Sequence, residues 1–243
     1  VGFDCSKIEE LGINKMENFR AGAIMMACAA DSTPGSSSVG GFFQRVAQGV
    51  KKILVPLYGA GDVNLINHPE SSPNITQSET FTTVNPDNPQ QIVVAYNDSR
   101  GRNVTPINIS GASVSTDGGA TFDRLTRSST GQSPFAGTEG DPVVLYHKPS
   151  QGWITVWLDT ACGAQGLGGY KSLTPSNPDS WTHFCVFSES SADRESGYAD
   201  NNPSSPFFGR MYISWNDFNV ACGAGGCIFV VRSTDGGVTW SSP

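Results

Sequence analysis

Charge is scarce in this chain: Asp, Glu, Lys and Arg together make up 15% of its 243 residues, well below the roughly 25% of an average soluble protein. Little material is left for long, solvent-facing charged helices. Basic residues are the scarcer sign, 15 against 22 acidic, and none forms a run longer than Lys51-Lys52. A net charge of −7 offers phosphate no positive field, so no nucleic-acid partner is expected. Long apolar runs are missing too. The longest nearly uncharged stretch, Ala21 to Ala30, is about half of the roughly 20 residues that cross a bilayer, and no membrane span is expected. Histidine is limited to His68, His147 and His183, and no CxxC pair occurs. Neither a metal centre nor another cofactor is expected.

What the chain has in quantity is turn material, 28 Gly and 15 Pro, together with six cysteines. An even set of six allows fifteen pairings, and with zinc spacing absent it reads as disulfides in a secreted or cell-surface protein. Cys222 and Cys227 flank Gly223-Ala224-Gly225-Gly226 and would close a small loop at a hairpin tip. Proximity then suggests Cys5 with Cys28 and Cys162 with Cys185. Val1 in place of Met fits a removed leader and an incomplete sequence equally well.

Residues 1–70 read as a partly helical N-terminal segment. Lys7 to Leu11 and Asn14 to Ala30 are helix-compatible, Asp31 to Gly41 is a Ser/Gly-rich loop, and Phe42, Phe43, Val46, Val50, Ile53 and Leu54 fall near helical spacing. Asn67 to Ser78 reads as the boundary. From 79 to 243 the pattern becomes short β-rich runs between turn clusters, and those runs repeat. Ile92-Val93-Val94-Ala95-Tyr96-Asn97-Asp98 matches Trp153-Ile154-Thr155-Val156-Trp157-Leu158-Asp159, and both match Met211-Tyr212-Ile213-Ser214-Trp215-Asn216-Asp217. Each is an apolar, aromatic strand closing on Asp, with Asp residues 61 and then 58 positions apart. A second strand in each unit, Gly111 to Ser115 and Ile228 to Ser233, runs into STDGGATF at 115–122 and STDGGVTW at 233–240. The middle unit keeps a degenerate copy, from Tyr170-Lys171-Ser172 through a Pro/Asn turn to Ser180-Trp181.

These octapeptides resemble the Asp-box of sialidase-like β-propellers, a resemblance covering about residues 79–243. It implies an all-β fold of propeller blades, three of them recognisable, beside the partly helical leader. Ser115, Asp117, Gly119 and Phe122, with Ser233, Asp235, Gly237 and Trp240, then fold hairpins and fill the layer between blades, and no catalytic residue is assigned among them. Asp-Gly favours a tight turn because Gly accepts positive φ and the carboxylate accepts backbone N–H groups. The resemblance also maps Asp98 and Arg100 onto the acidic residue and arginine near a sialidase binding face, where an arginine pairs with an acidic sugar. A plain Asp98 to Arg100 surface pair is the competing reading.

Three departures argue against an active sialidase. Glu79 to Gln91 contains no arginine, Gly101 to Ser110 contains no Asp or Glu to protonate a leaving group, and the later blades that carry the rest of that family's machinery have no counterpart here. Three repeats leave two sheet edges to cover, so either the sequence is a fragment, the preferred reading, or several chains self-associate into one ring. The expected function is a non-catalytic extracellular module that binds a glycan or a protein, with Asp98, Arg100, Asp159 and Asp217 as candidate ligand groups on one face. The alternative is an exo-sialidase-like glycoside hydrolase. Asn74, Asn97, Asn103 and Asn108 head N-x-Ser/Thr sequons and are expected near surface loop tips.

Overall fold

The computed structural model describes residues 4–10, 28, 63–66, 75–189, 191–218 and 226–243. The chain divides into two compact units, Val1–Asn64 and Leu65–Pro243. In the first, a single 3-10 turn spans Cys5–Lys7 with Asp4 accepting from the Ser6 N–H at its start. A disulfide joins Cys5 to Cys28. Of the helices expected over 14–30 and around 42–54, Cys28 is described and is helical; the rest lies outside the described residues.

The second unit is built of antiparallel β-strands in three sheets. The first sheet holds β1 (Gln77–Val84), β2 (Ile92–Gly101), β3 (Asn108–Ser115) and β4 (Asp123–Arg124), in that order. The second holds β5 (Val143–His147), β6 (Gly152–Asp159), β7 (Gly166–Ser172) and β8 (Thr182–Phe187). In the third, β10 (Met211–Asp217) lies between β9 (Ala192–Ala199) and β11 (Cys227–Ser233). Each sheet is a meander in which consecutive strands pair, the form of a propeller blade. The three repeated aromatic runs are the second strand of each sheet.

Period-2 alternation assigns each residue of the middle sheet to one neighbour or the other. Val143 and Leu145 of β5, with Ile154, Val156 and Leu158 of β6, pack toward Met211, Ile213 and Trp215 of the third sheet. The intervening residues Val144, Tyr146, Trp153 and Trp157 pack toward Val93, Ala95, Ala112 and Val114 of the first. The middle blade is therefore apolar on both faces, and β6 is buried along its whole length. The third sheet buries Val231 of β11 against this core but leaves Ile228 and Val230 exposed on its other face.

The two octapeptides have the same internal wiring. The Ser115 and Ser233 hydroxyls donate to Asp117 and Asp235 at 2.7 and 2.8 Å, and receive the Gly119 and Gly237 N–H groups at 2.8 and 2.9 Å. Each carboxylate also accepts the N–H and hydroxyl of Thr121 or Thr239. Gly118, Gly119, Gly236 and Gly237 all have positive φ, which is why Asp must be followed by two glycines. Phe122 is buried with Val94 and Tyr96, and Trp240 packs against the core between the second and third sheets. In the middle unit Ser172 keeps the serine's role, receiving the Thr174 N–H and meeting the Ser180 hydroxyl at 2.6 Å.

A disulfide joins Cys162, just after β6, to Cys185 on β8. Cys227 is also disulfide-bonded; its expected partner, Cys222, is outside the described residues.

Candidate functional site

The repeated aspartates lie at equivalent places on the second strand of each blade, Asp159 and Asp217 at its last residue and Asp98 three residues before the end of β2, but they are enclosed rather than set on an open face. Asp98, Asp159 and Asp217 are 1%, 0% and 0% exposed. Asp98 pairs with Arg124 at 2.7 Å and Arg100 at 3.3 Å and accepts the Arg100 N–H. Arg100 in turn donates to Thr126. Asp159 accepts from Ala161 N and meets His183 Nε2 at 2.7 Å, while Asp217 accepts from the Ser191 hydroxyl. Arg124 and His183 occupy equivalent places on the fourth strand, opposite Ser113 and Tyr170. To reach them, Asp98 and Asp159 pass over Gly111 and Gly168 on the third strand. A Cβ there would stand 2.9 and 2.1 Å from the carboxylate oxygens, a space only glycine leaves open. The equivalent third-blade position, opposite Trp215, is Phe229. Asp217 instead has Glu189 beside it, whose carboxyl is pushed up to about 8 by burial first and by Asp217 second.

A different set of acids meets on the first strands. β1, β5 and β9 neighbour one another and so form the inner edges of the blades. Each is interrupted at the same level, opposite the aromatic residue of the repeat. Glu79 and Thr80 together face Tyr96, because Ser78 pairs with Asn97 and Phe81 with Ala95. Arg194 and Glu195 face Trp215 between the pairs Asp193 with Asn216 and Ser196 with Ser214. Asp141 and Pro142 face Trp157, between the Gly140 to Leu158 hydrogen bond and the Val143 to Val156 pair. In each bulge a non-glycine residue takes the left-handed conformation: Glu79, Asp141 and Arg194 have φ of 51°, 55° and 52°. Among the described residues only one other non-glycine residue, Gln151, does so. Such strain is costly and concentrates at functional sites.

The bulges bring Glu79, Asp141, Asp193 and Glu195 together. Asn97 Nδ2 donates to Glu79 Oε2 at 2.6 Å, and its Oδ1 accepts the Asp141 N–H at 2.7 Å. The Asp141 carboxyl is pushed up to about 6 by burial, with Glu79 adding to it. Asp193 is raised by burial and then by Asp141. Glu195 is held well above the usual carboxylate range, by burial first and then by the charges of Asp141, Asp193 and Glu79. Its residue is 9% exposed and neither carboxyl oxygen has a hydrogen-bond partner. The neighbouring first strands of the blades thus hold an enclosed carboxyl, raised well above the usual range and bonded to no other residue, among three further acids.

With that geometry in place, comparison with known proteins adds a likeness of outline. No family matches the sequence, and no curated protein matches it. Solved structures it resembles include glycoside hydrolases. They include an α-L-arabinofuranosidase from Coprinopsis cinerea (TM-score 0.45, 16% identity, 70% of this chain and 50% of that one). An endo-1,4-β-xylanase from Bacteroides thetaiotaomicron gives a TM-score of 0.42, 15% identity and coverage of 67% and 49%. An exo-β-1,3-galactanase from Phanerochaete chrysosporium gives 0.38, 14%, 57% and 32%. The chain spans about a third to a half of the length of these proteins, and at such scores they carry no argument about the chemistry of this site.

Sequence reasoning missed all four clustered acids. Among the described residues, the one set with metal-like closeness is Cys162, His183 and Cys185, and both of its sulfurs are spent in the disulfide. No described helix is long and apolar enough to cross a membrane.

Proposed function

We propose that the carboxyl cluster is the acid/base centre of an extracellular glycoside hydrolase. The observation that carries this reading is Glu195, an enclosed carboxyl bonded to no other residue and set among Asp141, Asp193 and Glu79, which together with burial raise it well above the usual carboxylate range. Cleavage of a glycosidic bond needs one carboxyl that gives a proton to the leaving oxygen and one carboxylate that acts on the other side, and environments that drive neighbouring acids apart in pKa supply that division. Glu195 is the general acid. Glu79, receiving an amide N–H from Asn97, is assigned the partner role, and burial first, then the charge of Asp141, raises Glu195. The disulfides support an oxidising, extracellular setting.

The sialidase-like variant has less support, because Arg100 and Asp98 are committed to each other and to Arg124 and Thr126. A non-catalytic glycan-binding module is the second reading, favoured by the acid-free loop at Gly101 to Ser110. The full protein, tested on aryl glycosides and plant and fungal polysaccharides, is expected to release sugar, with Glu195→Gln lowering kcat by about 10²–10⁴-fold. Retention on a glycan array with no release from any substrate would replace this reading with the binding module.

A further inference from the structure

We propose that Asn97 is a positioning residue whose single carboxamide fixes both Glu79 and Asp141. The inference rests on the acid/base reading of the cluster and adds to it the group that sets its geometry. Asn97 is 6% exposed, and its two ends are both in use. A backbone N–H donates only, so the Asp141 N–H must meet Oδ1 at 2.7 Å. That choice points the NH2 group at Glu79 Oε2, 2.6 Å away. The amide cannot flip without setting donor against donor and oxygen against carboxylate. Asn97 lies on β2 of the first blade and Asp141 leads into β5 of the second, so one side chain ties together two bulges from neighbouring blades.

The blade fold does not require this residue. At the same place, one position before the repeated Asp, the third repeat has Asn216 but the second has Leu158, whose backbone makes the equivalent pairing with β7. An aliphatic side chain therefore fits the strand and packs there. In the first blade both ends of the polar side chain are bonded to the bulges. Its contribution to Asp141 is also distinct in sign: burial and Glu79 raise that carboxyl, whereas Asn97 lowers it. The other groups facing Asp141 are Asp193, Arg194 and Glu195 from β9.

The test is a carbon-13 NMR titration of the Asp141 carboxyl in the full protein, alongside the pH profile of glycoside release. Asn97→Leu, which gives the first blade the side chain the second already has at Leu158, should remain folded and move the Asp141 midpoint upward from about 6, by roughly half a unit to one unit. Asn97→Asp, which keeps the shape and adds a charge, should move it further upward. In both variants the pH profile of kcat should shift while KM changes less. An Asp141 midpoint that stays put in the folded variants overturns the positioning role. A moving midpoint in a protein that hydrolyses no glycoside upholds the role of Asn97 and overturns the hydrolase reading alone.

Discussion

Burial raises the Glu195 carboxyl well above the usual range, and that has a cost in stability with a definite sign. Its folded-state pKa lies above the unfolded value, so the group favours the folded state below about pH 4.5 and opposes it increasingly as pH rises toward the folded value. Glu195→Gln removes the penalty. Thermal melts at pH 7.5 should show a higher Tm for the variant, about 2–4 °C for each kcal/mol recovered, and the gap should close near pH 4. A gain in stability joined to a loss of activity is the pattern of a residue kept for function. Asp117 and Asp235 behave oppositely. Their carboxyls are drawn down to about 2, chiefly by the Thr121 and Thr239 hydroxyls. Each contributes stability above the unfolded pKa near 4, lost as pH falls through 2. For Asp117→Asn and Asp235→Asn the Tm should be lower than wild type at pH 6, with the difference vanishing by about pH 2. The serine below each turn has one arrangement to satisfy, so the pattern should hold for both copies.

At the scale of the element, each of the first two blades is pinned across its width by an aspartate that passes a glycine to reach a fourth-strand side chain, Arg124 in one and His183 in the other. Asp98→Ala would leave Arg124, 7% exposed, without its nearest charge, and breaking such a pair costs about 3–5 kcal/mol, readable by urea denaturation. Phe229→Gly, at the third-blade position that lacks this device, should give no compensating gain. The strands of these blades were legible in the sequence because an apolar, aromatic run with a closing Asp can recur only where the same packing recurs. The serine turns were legible because their wiring is local. Enclosure of Asp98, Asp159 and Asp217 was not, since an Asp near a strand end looks the same whether it meets solvent or a side chain of another strand. Asn97 and Asn108, read as loop-tip sequons, are likewise buried and hydrogen-bonded, while Asn103 is exposed. The acid cluster was less legible still. Glu79, Asp141, Asp193 and Glu195 share no motif, and their bulges place Glu, Asp and Arg at φ values for which sequence offers glycine as its only sign.

For the whole molecule, the middle blade should be the last part to open, since both its faces are covered. Amides of β6 and β7 are expected to exchange most slowly with deuterium, and those of β11 earlier. The Cys162–Cys185 bridge closes a loop of 23 residues in sequence within that blade. Its removal by Cys162→Ala with Cys185→Ala should cost about 3 kcal/mol through unfolded-state entropy, measured by denaturant unfolding against wild type. The bulges carry a different lesson. Two residues stand against one at the same height on each inner strand, and the ladder resumes in register beyond them. What occupies a bulge can therefore be exchanged without disturbing the sheet that holds it. Glu79, Asp141 and Arg194 are three answers to one backbone question, and a lineage could rewrite its reagents there, acid for base or charge for neutral, while leaving the scaffold's grammar untouched.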